Sequence, residues 1–448
     1  VTETVLLIGG GGREHAIARA LDTDDAALDL YACASNRNPG IATVANAVHT
    51  LTETDPAAVV EYAETVGATL AIVGPEAPLG AGVVDALASA GIYAFGPRQA
   101  EARIETDKAF QRRFMSANNI PGCPTFSVFE TAAAACEHID AAGQDLAIKP
   151  AGLTGGKGVR VTGEQVDQAA AKEHARTVLQ EHDRLVIEQR LTGEEVTVQA
   201  FVANGEVRPM PAVQDHKRAF EGDEGPNTGG MGSYADTTPA LPFMTDEEYA
   251  TAVAILKAVV AAMPEYRGVL YGQFILTATG PRVVEFNARF GDPEAMNVLS
   301  IMQTDLLSVL TAARDGEPLP ALEFAPTATV CKYAVPAGYP SDPTPGARVN
   351  IDERTVQSAH SGELTGVDDP TPTASLFYAS VDQREDGIYA TTSRSFAVVG
   401  QASSIADAET AATAALAEVG DEFRVRTDIG TNASVQRRTE RMRRLREQ

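Results

Sequence analysis

The stretch Val283-Val284-Glu285-Phe286-Asn287-Ala288-Arg289-Phe290-Gly291-Asp292-Pro293-Glu294 decides how the rest of the chain reads. Val284 and Phe286 alternate with Glu285 and Asn287, the period of a β-strand, so the two polar side chains are expected on one face. Val283 and Pro281 fall earlier on that same face. Neighbouring side-chain oxygens on a strand suit a hard cation such as Mg²⁺. The loop that follows adds Arg289 and two carboxylates, Asp292 and Glu294. Alone, Glu285-x-Asn287 also fits a half-exposed edge strand with solvated charges. The charged continuation and the glycine loops elsewhere favour a functional site.

Working outward, Val269 to Leu276 reads as a strand, and a turn at Thr279-Gly280 joins it to the opening stretch. The hairpin sets Gln273 beside Glu285. Gln214 to Gly232 is a long polar run, holding Asp215-His-Lys217-Arg and Asn227-Thr228-Gly229-Gly230-Met231-Gly232. Such loops in compact domains are usually functional or disordered. Glycines, opposed charges and amide groups favour an anion or substrate loop here. Thr245 with Glu248 forms a capping box for a helix through Met263.

The segment before it, about 105 to 190, opens on a helix from Glu105 to Asn118 that carries Lys108. A strand, Asp145 to Lys149, leads to Gly152-Leu-Thr-Gly155-Gly156-Lys157-Gly158. This glycine loop fails the Walker A pattern, because Gly158 stands where Ser or Thr would be, and it runs into a strand instead of a helix. It is expected to be a mobile flap over phosphates. Arg184 to Gln189 is a strand with Glu188 near its end. Glu194 and Glu195 open a hairpin that turns at Asn204-Gly205.

Residues 1 to about 104 alternate strands and helices, which argues a parallel sheet. Thr4 to Ile8 is a strand, followed by Gly9-Gly10-Gly11-Gly12-Arg13-Glu14-His15 and a helix. Backbone N–H groups at that helix start suit a phosphate. The dinucleotide fingerprint fails, since Glu14 or His15 occupies its third glycine position, and a nicotinamide cofactor is disfavoured. A second loop, Gly74-Pro75-Glu76, also ends a strand, where ligands of such sheets bind.

The 448 residues allow about three domains at roughly 150 residues each. No apolar run reaches the roughly 18 residues of a membrane span, and Val5 to Ile8 is too short for a signal peptide. A cytoplasmic enzyme is expected. Cys33, Cys123, Cys136 and Cys331 are scattered, so neither zinc nor a disulfide framework is signalled. A net charge of −25 argues against nucleic acid as a partner. Only seven of the basic residues are lysines, and an acidic, lysine-poor surface suggests adaptation to high salt. Residues 323 to 430 read as a small α/β unit. The arginine-rich tail, 431 to 448, is expected to fold back as a helix on acidic surface.

Lys149, the Gly155–Gly158 flap, Glu188, Glu195 and Glu285-Phe-Asn287 together resemble the ATP-grasp superfamily in order and spacing. The tetraglycine loop, Gly74-Pro-Glu-Ala-Pro-Leu79, Gln214-Asp-His-Lys-Arg218, Gly225-Pro-Asn-Thr-Gly-Gly-Met-Gly232, the opening stretch and Arg426-Thr-Asp-Ile-Gly430 resemble the phosphoribosylamine–glycine ligase family within it. The resemblance runs from about residue 4 to 430. It implies an α/β and α+β multidomain protein. A Rossmann-like N-terminal domain (1–104) would precede an ATP-grasp domain (105–322, flap subdomain about 124–192) and a small C-terminal α/β domain (323–430).

It also implies ligation of glycine to 5-phosphoribosylamine with ATP and Mg²⁺ (or Mn²⁺), by a monomer without membrane or nucleic-acid partners. Lys108 and Lys149 would meet the ATP phosphates under Gly155, Gly156, Lys157 and Gly158. Glu188 and Leu191 would read adenine, and Glu195 the ribose. Glu285 and Asn287 would hold the metal, with Gln273 standing where relatives carry a further carboxylate, one charge fewer. Gly10, Gly11, Gly12, Arg13, Gly74, Pro75 and Glu76 would bind phosphoribosylamine. Asp215, Lys217, Asn227 to Gly232, Arg289 and Asp292 would surround glycine and its acyl phosphate. Where the family has two glycines before a C-terminal arginine strand, this chain reads Thr392-Ser393-Arg394-Ser395-Phe396.

Such chemistry needs no Ser–His–Asp arrangement, and none is visible. It needs positioning and charge neutralisation around phosphoryl transfer. The general base for the amine is left open between Asp215 and Asp292. Another ATP-grasp carboxylate–amine ligase or a carboxylase would share most of these motifs.

Overall fold

The computed structural model describes residues 2–23, 27–153, 158–358, 372–417 and 419–447. Short apolar strands with Gly-rich ends build a five-stranded parallel sheet at the N-terminus. Its order is Ala47–Thr50, Leu28–Ala34, Glu3–Ile8, Leu70–Val73, Tyr93–Phe95. Val5 to Ile8 are fully buried, as a strand covered on both faces must be. The order reverses beside Glu3–Ile8, and the crevice at that switch opens past Ile8 and Val73.

Two four-stranded antiparallel sheets follow. One comprises Phe126–Phe129, Leu185–Gln189, Leu146–Pro150 and Arg160–Val161. Helices Ala132–Ala141 and Gln168–Glu181 pack on it through Ala135, Ile139, Ala171 and Ala175. The other comprises Glu206–Pro209, Glu194–Ala203, Gly268–Thr277 and Gly280–Asn287. The capping box at Thr245 and Glu248 opens the helix Asp246–Ala262 on its back.

The Gly280–Asn287 strand does not keep a single alternation. Phe274 pairs with Val283 while Gln273 pairs with Glu285, leaving Val284 as an extra residue. This bulge resets the phase. Val283 turns into the core with Phe286, both fully buried, and does not share the face of Glu285. The expected neighbours Gln273 and Glu285 do face each other.

The last sheet crosses the boundary expected near residue 323. Gln214–Asp215 and Gly232–Ala235 pair into it ahead of Ala328–Pro336, Phe396–Ala402 and Thr373–Tyr378, with Phe423–Val425 also on Ala328–Pro336. The polar loop is therefore stitched to the C-terminal unit. The single helix expected from Glu105 is two, Gln99–Thr106 and Lys108–Ala117, because the Asp107 carboxylate caps the second by accepting from Phe110 N–H. Helix Asn432–Arg446 closes the described chain. Among the described residues no helix is long and apolar enough to cross a membrane.

Candidate active site

A cavity of about 320 Å³ lies between the two antiparallel sheets. Ala147 and Val161 line it from one sheet, Ile275 and Val284 from the other, with Leu191 and Glu195 at the connection. The Val284 bulge shapes its floor. The displaced carbonyls of Val283 and Val284 accept from Arg112 Nη2 at 3.1 and 2.7 Å, and the Val284 carbonyl also accepts from Lys149 Nζ at 3.2 Å. Glu188 sits between these cations. Its oxygens lie 2.6 Å from Arg112 Nε and 2.7 Å from Lys149 Nζ. Burial would raise this carboxyl, but Arg112 and Lys149 hold it below the usual range. Burial lowers Lys149, with Glu188 opposing. Glu188, expected to read adenine, thus has both oxygens committed to an ion cluster beneath the cavity.

From there a polar chain runs along the strand face. Gln273 Nε2 donates to Glu195 Oε2 at 2.9 Å, and Gln273 Oε1 accepts from Lys217 Nζ at 2.5 Å. Lys217 Nζ lies 3.9 Å from Glu285 Oε1. An amide at position 273 can donate to one neighbour and accept from the other, which a carboxylate cannot do. Its oxygen here accepts from Lys217. Burial would raise Glu285, but Lys217, Lys108, Lys149 and Arg289 hold it at about 2. An ionised carboxylate beside the buried Asn287 amide is a hard-oxygen donor pair. Two such ligands suit Mg²⁺ only when phosphates and water complete the shell. Among the described residues no group of three or more His, Cys, Asp or Glu side chains could enclose a metal.

A second cavity, about 290 Å³, adjoins the first. Asp215, Lys217 and Glu285 line both and form their common wall. Arg13, Pro75, Glu76, Lys108, Thr228, Gly229, Asn287, Arg289 and Asp292 also line the second. Arg289 Nη2 lies 2.8 Å from Glu105 Oε1, and its Nε 3.4 Å from Glu76 Oε2. Glu105 Oε2 accepts from Ala288 N–H at 2.7 Å. Burial pushes Glu105 to about 7 against the pull of Arg289. Asp215 has a different environment. Burial and the Glu294 charge push its carboxyl well up, against Lys217, and its Oδ1 is buried without a hydrogen-bond partner. Gly230 closes over it at φ +113°, where a Cβ would stand 2.7 Å from Asp215 Oδ1. Glu294 accepts from the Tyr271 hydroxyl at 2.8 Å and Thr197 at 3.2 Å.

Several expected residues lie elsewhere. Gly10, Gly11 and Gly12 do not line the second cavity; the tetraglycine loop is packed between the N-terminal sheet and the C-terminal unit. Asn38 Nδ2 donates to the carbonyls of Gly10 and Tyr378 at 3.0 and 2.8 Å, and a Cβ on Gly12 would come within 2.6 Å of the Tyr333 hydroxyl. The Gly11 N–H, expected to face a phosphate, donates to the Glu14 carboxylate at 2.7 Å. A Cβ on Gly74 would likewise strike the Glu14 side chain. Met231 is fully buried, its side chain in the core, and Gly232 opens the Gly232–Ala235 strand opposite Lys332, so neither lines the second cavity. Asn227 lines the first cavity, not the second. Gly155, Gly156 and Lys157 lie outside the described residues; the Gly158 carbonyl is 2.9 Å from His174 Nε2.

Sequence reasoning missed Arg394, which reaches the site from the C-terminal unit. Its Nη1 donates to the carbonyls of Gly229, Gly230 and Asp292 at 2.8, 3.0 and 3.0 Å and lies 3.2 Å from Asp292 Oδ1. Asp292 Oδ1 also accepts from the Tyr333 hydroxyl at 2.6 Å. The only local signal was a lone arginine in a Ser/Thr run before a strand. Glu105 and Tyr271 were missed as well; Tyr271 sits two residues before Gln273 on the same strand face.

Paired antiparallel sheets closing on a cleft, with a carboxylate–amide pair on the strand at its inner end, define the ATP-grasp class. Models of the three parts of phosphoribosylglycinamide synthetase match in order: the N domain over residues 3–105, the ATP-grasp domain over 106–295 and the C domain over 329–432. The chain belongs to the phosphoribosylglycinamide synthetase family. It is 48% identical over 445 residues to the phosphoribosylamine–glycine ligase of Methanocella arvoryzae, covering 98% of each chain. It is 48% identical to that of Methanosarcina barkeri over 450 residues, covering 99% of each. In fold it is similar to the phosphoribosylamine–glycine ligase of Thermotoga maritima (TM-score 0.78, 23% identity, 95% of this chain and 99% of that one). It is also similar to an ADP complex of N5-carboxyaminoimidazole ribonucleotide synthetase (TM-score 0.65, 16% identity, 93% and 96%).

Proposed function

We propose that the chain joins glycine to 5-phosphoribosylamine at the expense of ATP, giving glycinamide ribonucleotide, ADP and phosphate for purine synthesis. The observation that carries this reading is the common wall of Asp215, Lys217 and Glu285. A phosphoryl group entering from the nucleotide cavity and a carboxylate waiting in the second cavity would meet there.

A glycine carboxylate oxygen attacks the γ-phosphorus, the bond to the β-phosphate oxygen breaks, and ADP leaves. The amine nitrogen of phosphoribosylamine then attacks the acyl carbon of glycyl phosphate, and inorganic phosphate leaves with the bonding pair. Lys108, Lys149 and Lys217 neutralise phosphate charge and hold the oxygens in line. Glu285 and Asn287 would hold Mg²⁺ or Mn²⁺, which supplies Lewis-acid charge on the phosphates when bound. Asp215 takes the proton from the attacking amine. It is preferred over Asp292 because Oδ1 of Asp215 is free, whereas Asp292 is held by Tyr333 and Arg394. Arg394 fixes the Gly229-Gly230 backbone that roofs Asp215. Arg13 and the Pro75-Glu76 loop face the sugar phosphate side.

The same reading places the enzyme in the cytoplasm as a monomer, with its acidic surface suited to high salt. ADP release with each substrate omitted in turn tests it. Release that needs ATP, a divalent metal, glycine and phosphoribosylamine together is expected; release with glycine absent would refute it.

A further inference from the structure

We infer that the C-terminal arginine helix is a working wall of the nucleotide site, with Arg438 positioning the ribose-side carboxylate. This rests on the reading of the first cavity as the ATP site. Helix Asn432–Arg446 begins where the C-domain match ends, at residue 432. Its expected role was to cover acidic surface. Arg446 does that, lying 2.6 Å from Glu248 Oε2 and donating to the Phe243 carbonyl at 2.8 Å. Arg438 and Arg441 instead line the nucleotide cavity.

Both hold Glu194, which is 3% exposed. Arg438 Nη1 lies 2.6 Å from Glu194 Oε2 and Arg441 Nη1 lies 3.0 Å from Oε1. Glu194 is the first residue of its strand and Glu195 the second. Glu194 lines the nucleotide cavity beside Glu195, so holding Glu194 fixes the strand end from which Glu195 projects. The backbone at this end pairs Glu194 with Leu276 and Glu195 with Ile275, and the arginines add side-chain anchorage to that pairing.

The same guanidinium spans to a second element. Arg438 Nη2 lies 2.7 Å from Asp223 Oδ2. Asp223 sits at φ +60°, a conformation a non-glycine residue holds only when its surroundings insist on it. It lies on the turn between strands Arg218–Phe220 and Glu224–Asn227, which delivers Thr228 and Gly229 to the second cavity. One planar fork therefore ties the ribose edge of the nucleotide site to the root of the substrate loop. A lysine, with a single ammonium, cannot span both carboxylates.

The test compares two arginines of one helix in the full chain, by calorimetric titration with ADP and Mg²⁺ and by steady-state kinetics. Arg438→Met is expected to raise the ADP Kd and the KM for ATP about tenfold. Arg438→Lys should fall between Arg438→Met and the wild type. Arg446→Met should lower Tm and leave the ADP Kd at the wild-type value. Arg438→Met binding ADP like the wild type would overturn the inference. So would Arg446→Met weakening ADP as much as Arg438→Met, since the helix would then act through stability alone. A wild-type chain that binds no ADP would bring down the assignment of the cavity itself, and this inference with it.

Discussion

Replacing Arg394 by Met tests whether a side chain from the C-terminal unit holds the active-site roof. Its Nη1 serves three carbonyls and one carboxylate oxygen, Gly229 O, Gly230 O, Asp292 O and Asp292 Oδ1, all at 2.8 to 3.2 Å. Two N–H groups on that nitrogen cannot make four full bonds, so the set is worth about two charge-assisted hydrogen bonds, roughly 1.5–3 kcal/mol each. The guanidinium also lies 4.5 Å above the Tyr333 ring, adding about 1 kcal/mol. Water at the cavity edge will replace part of this, leaving a net loss of about 3 kcal/mol, or roughly a hundredfold in kcat/KM at 1.36 kcal/mol per decade.

The loss should fall on the amine-accepting half-reaction and on glycine, because Gly230 roofs Asp215, while the ADP Kd stays at its wild-type value. Met keeps the length of the side chain, and Asp292 keeps its bond from Tyr333, so the variant is expected to fold. Arg394→Lys should recover about a tenth of the wild-type kcat/KM, since an ammonium keeps the charge and loses the planar stacking on Tyr333. The assay is ADP release under saturating ATP with glycine and phosphoribosylamine varied, beside circular dichroism and Tm. A folded Arg394→Met variant within about threefold of wild type for both substrates would refute the argument.

Three further outcomes are expected. Glu285→Ala should abolish metal-dependent turnover with the fold intact; because that carboxyl is held at about 2, metal affinity of the wild type should not fall on acidification to about pH 5 through this group, and wild-type-like turnover of the variant would sink the metal assignment. Asp215→Asn should cost about 10²- to 10⁴-fold in kcat and remove the rising acidic limb of the pH profile. Asp215 has a raised carboxyl in the folded state, so the wild type forfeits stability as pH climbs from the ordinary carboxylate value through the raised one. The Asn variant should therefore gain Tm at pH 8 and not at pH 4, and the reverse pattern would contradict the burial argument. With a net charge of −25, the wild-type Tm should rise between about 0.1 and 1 M KCl as the Debye length shrinks from about 10 to 3 Å, whereas a flat response would count against adaptation to high salt.

The parts of this site that were legible in the sequence are those where chemistry restricts residue type at short range. Glu285 beside Asn287, a lysine ending a strand at 149, and glycines where backbone crowds a neighbour each declare themselves within a few residues. What stayed hidden is set by pairing partners far away in the chain. The Val284 bulge exists only relative to the Gly268–Thr277 strand; strict alternation, the only rule a single strand offers, put Val283 on the wrong face. Gln214–Asp215 pairs through two residues alone, to Gly232–Ala235, too short for any period to register, yet that pairing carries Asp215 to the wall between the cavities. The tetraglycine loop misled for a related reason. A helix start rich in glycine looks built for a phosphate, but Glu14 three residues on supplies the anion internally, and Ala34, Asn36 and Tyr333 demand the small residues for packing.

The same physics explains why one unit's sheet runs into the next. The acyl phosphate must be made at one strand end and consumed before water arrives, so the groups that make it and the groups that use it have to keep a fixed spacing. A polar loop lying free on the ATP-grasp domain could not hold that spacing. Hydrogen-bonded into the C-terminal sheet at Gln214–Asp215 and Gly232–Ala235, and pinned by Arg394 at Gly229 and Gly230, it can. Separating the C-terminal unit from the rest should therefore abolish ligation and, because Arg438 and Arg441 line the nucleotide cavity, weaken ADP binding as well.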